Sequence, residues 1–243
     1  MPGHTPPAVC RAAAVVAAAL LPVVLAGCGG GSSKQSQPLA AAMLNRAALA
    51  VGDMPSGFVP DPTGGAAGMP ATTDPTCGRL LAAVERPGTG GDVHAHSGTS
   101  AFRRSPLGPW VRNFAQSATG DGAKSALSSL GDLTGKCGGF TGTLAGRRIS
   151  FKVGDLPLAS MGDESKAVRM TGTLSGQPVE ADFVAIRVGS NLTVVGHSDI
   201  GWNAADTTIT KQAAQRAAEK LKQAAGGTTP TPSPPAPAAA TGS

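Results

Sequence analysis

Few residues in this 243-residue chain are of a type and spacing that do chemistry. His94-Ala95-His96 is the one motif of metal-ligand type. On an extended strand, residues i and i+2 point the same way, so both imidazoles would meet one ion, with His197 as a third ligand. The surrounding segment is Gly-rich, and a preorganised site needs rigid support, so exposed loop histidines are expected and no metal is assigned. Gly162-Asp163-Glu164 sets two carboxylates side by side. Acid–base work needs carboxylates that face each other across a cleft. Neighbours in a loop seldom converge, so a turn is expected, with Asp163 bonding its own backbone. Trp110 and Trp202 are the candidate ligand-binding residues, with packing in the core or its rim as the other reading. No Gly-x-Ser-x-Gly, His-Glu-x-x-His, Walker loop or Ser-x-x-Lys with its partners occurs, and Gly88-Thr89-Gly90-Gly91 neither follows a strand nor opens a helix. No catalytic residue and no cofactor are assigned, and an enzyme is not expected.

Cys28 belongs to a different chemistry. Arg11 puts a positive charge near the start, and Ala12 to Leu25 is an apolar run broken only by Pro22. The run is shorter than the about 20 residues of a spanning helix. Small residues, Ala26 and Gly27, then precede Cys28. These are the three parts of a secretory signal. Leu25-Ala26-Gly27-Cys28 resembles a bacterial lipobox. The resemblance implies cleavage after Gly27, with Cys28 becoming the mature N-terminus and carrying a diacylglycerol on its sulfur. Two acyl chains anchor stably where one is marginal. An ordinary signal peptide, or an uncleaved anchor with an incidental cysteine, is the other reading.

Of the four cysteines, Cys10 leaves with the signal and Cys28 takes the lipid. Cys77 and Cys137 remain, an even pair in an oxidising compartment, so they are expected to form a disulfide. Neither has a second Cys or a His at ligand spacing. Charge excludes more than it identifies. The chain is +5, and loss of Arg11 lowers that by one. Its basic residues are scattered: Arg103-Arg104, Arg147-Arg148, Lys211, Arg216, Lys220 and Lys222. No basic stripe is interleaved with aromatics, so nucleic acid is not a partner. Scattered solvated charges are expected.

Composition sets the boundaries. Gly (34) and Pro (20) are abundant and only 14% of residues are charged. Residues 1–27 read as the signal, 28–37 as a lipidated Cys and Gly/Ser-rich tether, 38–225 as the folded domain, and 226–243 as a disordered Pro/Thr/Ala-rich tail. Within the domain, Leu39–Ala50 has a helical period. Asp74 or Thr76 caps a second helix with Leu80, Leu81 and Val84 inward. Thr99–Arg103 is expected to pair with Trp110–Gln116. Asp121 is expected to cap a helix running to Thr134, with Gly135 at its end. Ile149, Phe151 and Val153 alternate in a strand, followed by strands at Lys166–Leu174, Val179–Val188 and Leu192–Gly196. Ser175-Gly176-Gln177-Pro178 and Gly189-Ser190-Asn191 are the turns between them. A last helix spans Ala204–Ala224, with Asn203 and Asp206 as a capping box. Its stripe of Ile209, Ala213, Ala217 and Leu221 is expected to approach the sheet closely without deep burial.

Together these features resemble a known family. They are the lipobox, a Cys after Asp74-Pro75-Thr76, a helix ending at Cys137, and a Gly-Asp-Glu turn leading into Lys166-Ala167-Val168-Arg169-Met170-Thr171-Gly172-Thr173. A hairpin and a terminal amphipathic helix follow. The pattern resembles the extracellular sensor domain of some actinobacterial Ser/Thr kinases and of stand-alone mycobacterial-type lipoproteins, over roughly residues 40–224. The resemblance implies an antiparallel sheet with helices packed on it and a cleft for a ligand. Kinase-linked members generally carry two disulfides, whereas the cysteines here allow one. The expectation is an α+β single domain with an antiparallel meander sheet and one disulfide. It sits on the extracytoplasmic face of the bacterial cell membrane, anchored through diacylglyceryl-Cys28. Its job is expected to be non-catalytic binding of a small or lipid-like ligand or an envelope component. A structural, protein-interaction lipoprotein with an envelope protein partner is the alternative, and an envelope hydrolase a third.

Overall fold

Alternating residues and tight turns build the sheet. The structure, a computed structural model, describes residues 38–64, 68–86, 97–201 and 207–231. In chain order the elements are α1 (Ala41–Ala47), β1 (Val59–Pro60), β2 (Ala71–Thr72), α2 (Pro75–Glu85), β3 (Ser97–Arg103), β4 (Trp110–Ser117) and α3 (Gly122–Lys136). Then follow β5 (Gly139–Leu144), β6 (Arg147–Asp155), β7 (Glu164–Leu174), β8 (Gln177–Val188), β9 (Asn191–Ile200) and α4 (Thr208–Ala225). The nine strands form one antiparallel sheet in the order β1-β3-β4-β9-β8-β7-β6-β5-β2. The architecture is α+β with one disulfide, as expected.

The meander has five strands where the sequence pattern predicts four. In β5 the inward positions are Phe140, Gly142 and Leu144, and the glycine interrupts the apolar alternation. The β7–β8 turn is also tighter than expected. Ser175 and Gly176 have φ of +52° and +84°, the backbone that a two-residue hairpin needs to match the twist of its strands. Leu174 therefore pairs directly with Gln177, so Gln177 and Pro178 begin β8 rather than closing the turn.

Both faces of the sheet are covered. On one, Leu80, Leu81 and Val84 of α2 and Leu127 and Leu130 of α3 join Met170, Phe183, Ala185 and Val194. On the other, Ala213 and Ala217 of α4 meet Val111 and Val195, while Ala214 and Ala218 meet Val184 and Ile186. From Val179 on, β8 is accordingly buried at every position but Ala181 and Arg187, as a strand between two helical layers must be. α1 lies against β3 so closely that a Cβ on Gly98 would fall 2.2 Å from the Leu44 carbonyl oxygen. No helix among the described residues is long and apolar enough to cross a membrane.

Three local expectations change. Ala213, Ala217 and Leu221 are 0% exposed, so the α4 stripe is deeply buried rather than merely close to the sheet. α1 and the single turn of 3-10 helix at Val51–Asp53 lie across it. Lys220 is likewise buried, not solvated: its Nζ donates to the Ala48 carbonyl at 2.5 Å and to Asp53 Oδ2 at 2.8 Å. Arg216 Nη2 donates to the other Asp53 oxygen at 3.2 Å. Asp121 makes no side-chain cap, and α3 runs past Gly135 to Lys136. The expected cap of the last helix, Asn203 with Asp206, lies outside the described residues.

Asp74 caps α2, accepting from the Thr76 and Cys77 amides at 2.9 and 2.7 Å. Cys77, in the first turn, is bonded to Cys137 at the end of α3. That bond closes a segment with a sequence separation of 60. Chain entropy assigns such a closure about 4 kcal/mol. Replacing both cysteines by serine is expected to lower the melting midpoint in thermal denaturation. An unchanged midpoint would show that helix packing alone holds α2 in place.

Candidate functional site

The sequence candidates are dispersed. Cys28, His94, His96 and Trp202 lie outside the described residues. Trp110 is 8% exposed at the start of β4. Its ring lies over Gly108, where an added Cβ would approach it to 2.7 Å. Asp163 does not bond its own backbone, as a simple turn would have it. Its carboxylate accepts from the Gly189 amide at 2.6 Å, and its amide donates to the Arg187 carbonyl at 2.8 Å. It thereby clamps the β8–β9 hairpin. Arg187 lies 3.4 Å from Asp163 and 3.5 Å from Glu164, so both carboxylates are structural.

His197 belongs to a buried charged row that the sequence reading did not foresee. Register brings Arg169 of β7, Asp182 of β8 and His197 of β9 side by side, beneath Thr210 of α4. Arg169 grips Asp182 with both arms, Nε to Oδ1 at 2.7 Å and Nη2 to Oδ2 at 2.8 Å, and reaches Glu180 at 2.9 Å. The Thr210 hydroxyl donates to Asp182 Oδ2 at 2.8 Å. It has one proton, so at 3.0 Å it accepts from His197, which must carry its hydrogen on Nδ1. The hydrogen bond to Asp182 raises the Arg169 pKa above the ordinary guanidinium value, while burial acts the other way.

Glu180, Asp182 and His197 each offer an atom within 4.8 Å of the others, which is metal-ligand spacing. The donor set does not fit a cation. Both Asp182 oxygens and one Glu180 oxygen already receive Arg169, so an ion would have to displace a guanidinium. The row is an ion-pair network centred on Arg169 and Asp182. Arg169→Met would leave two buried carboxylates without their cation, an effect of about 3–5 kcal/mol. Urea denaturation is expected to show the midpoint falling accordingly, and a loss under about 1 kcal/mol would mean that Thr210 and His197 suffice.

The opposite face carries the open site. α2 ends at Glu85 before it reaches β3, leaving a cleft of about 470 Å³ over β3, β4, β9 and Phe183 of β8. Strand register fixes its floor. One row runs Ala101, Arg112, Gly196, Phe183 across the four strands, and the next runs Thr99, Phe114, Val194. The second row ends beside Ala185. Val84, Glu85 and Arg86 form one wall and the turn at Asp61–Gly64 another. A Cβ on Gly196 would meet the Phe183 ring at 3.1 Å, so the glycine lets that ring lean beside Arg112. Asp61 is engaged, accepting from the Thr63 amide and hydroxyl at 3.0 and 2.7 Å and lying 3.5 Å from Arg103. Burial pushes the Arg112 pKa down, and the Glu85 carboxylate acts against this. A crevice of about 30 Å³ continues from Arg112 between Met170, Val179 and Phe183.

Trp110 shares the β4 face of Arg112 and Phe114 but does not line the cleft. Sequence alternation places Arg112 on that face. What marks it, a lone cation between two aromatic positions of one strand face, carries no recognised motif.

The antiparallel sheet, with α2 and α3 on one face and α4 on the other, is shared with a solved structure. The extracellular domain of PknH from Mycobacterium tuberculosis has this fold. It matches with a TM-score of 0.55 at 15% sequence identity, covering 78% of this chain and 98% of that one. The likeness is one of fold. No protein-family profile matches the chain, and neither does any curated protein sequence.

Proposed function

We propose that this chain is a lipid-anchored extracytoplasmic lipoprotein whose domain binds a small or lipid-like ligand without catalysis. The observation that carries the reading is the cleft of about 470 Å³ beyond the end of α2, within the size range of small-molecule sites. Its lining combines the apolar Phe114, Phe183 and Val194 with the polar Thr99 and Arg112. Of its acidic groups, Asp61 is held by Thr63 and Arg103, and Glu85 is exposed at the rim. That arrangement supports binding over acid–base work, which needs poised groups converging on one point. The fold shared with an extracellular domain supports the compartment, and so does the disulfide. Anchoring rests on Leu25-Ala26-Gly27-Cys28. In this reading residues 1–27 are removed, 28–37 tether the domain, and 226–243 form a tail.

Two measurements test it. Cys28→Ala in the native host is expected to move the protein from the membrane fraction to the soluble fraction. Retention in the membrane would show another anchor. Native mass spectrometry of the full chain, released from its own envelope, is expected to retain an extra mass of a few hundred to about a thousand daltons. A bare protein mass would favour the envelope-protein partner instead.

A further inference from the structure

Arg112 differs from the other deeply placed cations of the domain. Arg169 holds Asp182 at 2.7 Å, and Lys220 holds Asp53 at 2.8 Å. Among the described residues Arg112 makes no hydrogen bond and no ion pair; its charged neighbour is Glu85, which acts through space. It stands half-buried in the cleft floor, flanked by Ala101, Gly196 and the Phe183 ring, with Phe114 and Val194 in the next row. Taking a guanidinium partly out of water, with only the exposed Glu85 acting on it through space among the described residues, is unfavourable. The planar fork of five donors binds a carboxylate or phosphate more strongly than a neutral acceptor, and repels a cationic head. Apolar surface lies on either side of it, so the complementary molecule has two parts.

We infer that the cleft takes an amphiphilic anion, with a carboxylate or phosphate head on the Arg112 guanidinium and an apolar body over Phe114, Val194 and Phe183. This rests on the cleft being a binding site. Asp61 does not oppose it, because Thr63 and Arg103 already share its charge. Glu85 does oppose it, from the exposed rim, with Arg86 beside it. Removing the Glu85 charge is therefore expected to strengthen binding.

The test is isothermal titration of octyl phosphate into the full chain held in phosphatidylcholine nanodiscs, with empty discs as reference. Octanol and inorganic phosphate serve as the two halves of the probe. Octyl phosphate is expected to bind at least roughly tenfold more tightly than either half, a difference of about 1.4 kcal/mol. Arg112→Gln is expected to bring octyl phosphate down to the octanol level, with octanol affinity and melting midpoint unchanged. Glu85→Gln, at an exposed position, is expected to tighten it. Equal octyl phosphate affinity in Arg112→Gln and the parent would overturn the inference. Octanol binding as tightly as octyl phosphate would also overturn it. If Ala101→Phe then abolished that octanol binding, the cleft would stand as a binding site without the anion. Binding of neither probe would overturn both readings. Discs containing phosphatidylglycerol separate the sources. Competition with octyl phosphate identifies a membrane lipid as the anion, and its absence identifies a soluble one.

Discussion

The position of α2 depends on one end of it. Cys77 in its first turn is bonded to Cys137, where α3 gives way to β5. Just upstream, Ala71 and Thr72 pair with β5, and Thr72 accepts from the Asp74 amide at 3.2 Å. Crosslink, strand pairing and cap all fix the N-terminus of α2 at the same side of the sheet. The helix then projects across the core like a beam held at one end. Its length decides where it stops. Val84 still packs in the core, whereas Glu85 and Arg86 overhang the floor made by β3, β4 and β9.

The two faces of the sheet treat charge differently. Beneath α4 the deep cations Arg169, Arg216 and Lys220 each meet a carboxylate. Asp182 receives Arg169 and Thr210, and Asp53 receives Lys220 and Arg216. Such pairs are costly to form in place of apolar packing but more costly to break. They fix which residues of β7, β8, β9 and α4 lie side by side, and they tie the segment around Ala48 to α4 through Lys220. On the cleft side Arg112 makes no ion pair among the described residues, and its neighbours in the register are Ala101 and Gly196.

Much of this fold was legible in the residues. Period-two alternation located β3, β4 and β6 to β9, and the Asp74-Pro75-Thr76-Cys77 start located α2. The cysteine count paired Cys77 with Cys137. What escaped was whatever glycine or tertiary register decides. In β5, Gly139 and Gly142 dilute the pattern that Phe140 and Leu144 would otherwise announce. Asp121 is a good cap by type, but its backbone leaves the side chain without a role. Lys220 reads as a solvated lysine until α1 and the 3-10 turn fold across its helix. Arg169, Asp182 and His197 are scattered in the chain and meet only because two hairpins set the register of three strands. Arg112 lies within the strand expected over Trp110–Gln116. That it would face open space could not be read, since this follows from where α2 ends.

The two ends of the sheet carry a further consequence. The outermost strands, β1 and β2, have two residues each, and one of β1's is Pro60. A long straight outer strand presents a row of unpaired amides and carbonyls that invites another chain to add on. Here an incoming strand meets a step on each side, and at Pro60 it finds no amide to pair with. Asp61 extends the cover on the β3 side by donating its amide to the Ala101 carbonyl at 2.8 Å. A wide antiparallel sheet is thus blunted at both ends against edge-to-edge aggregation.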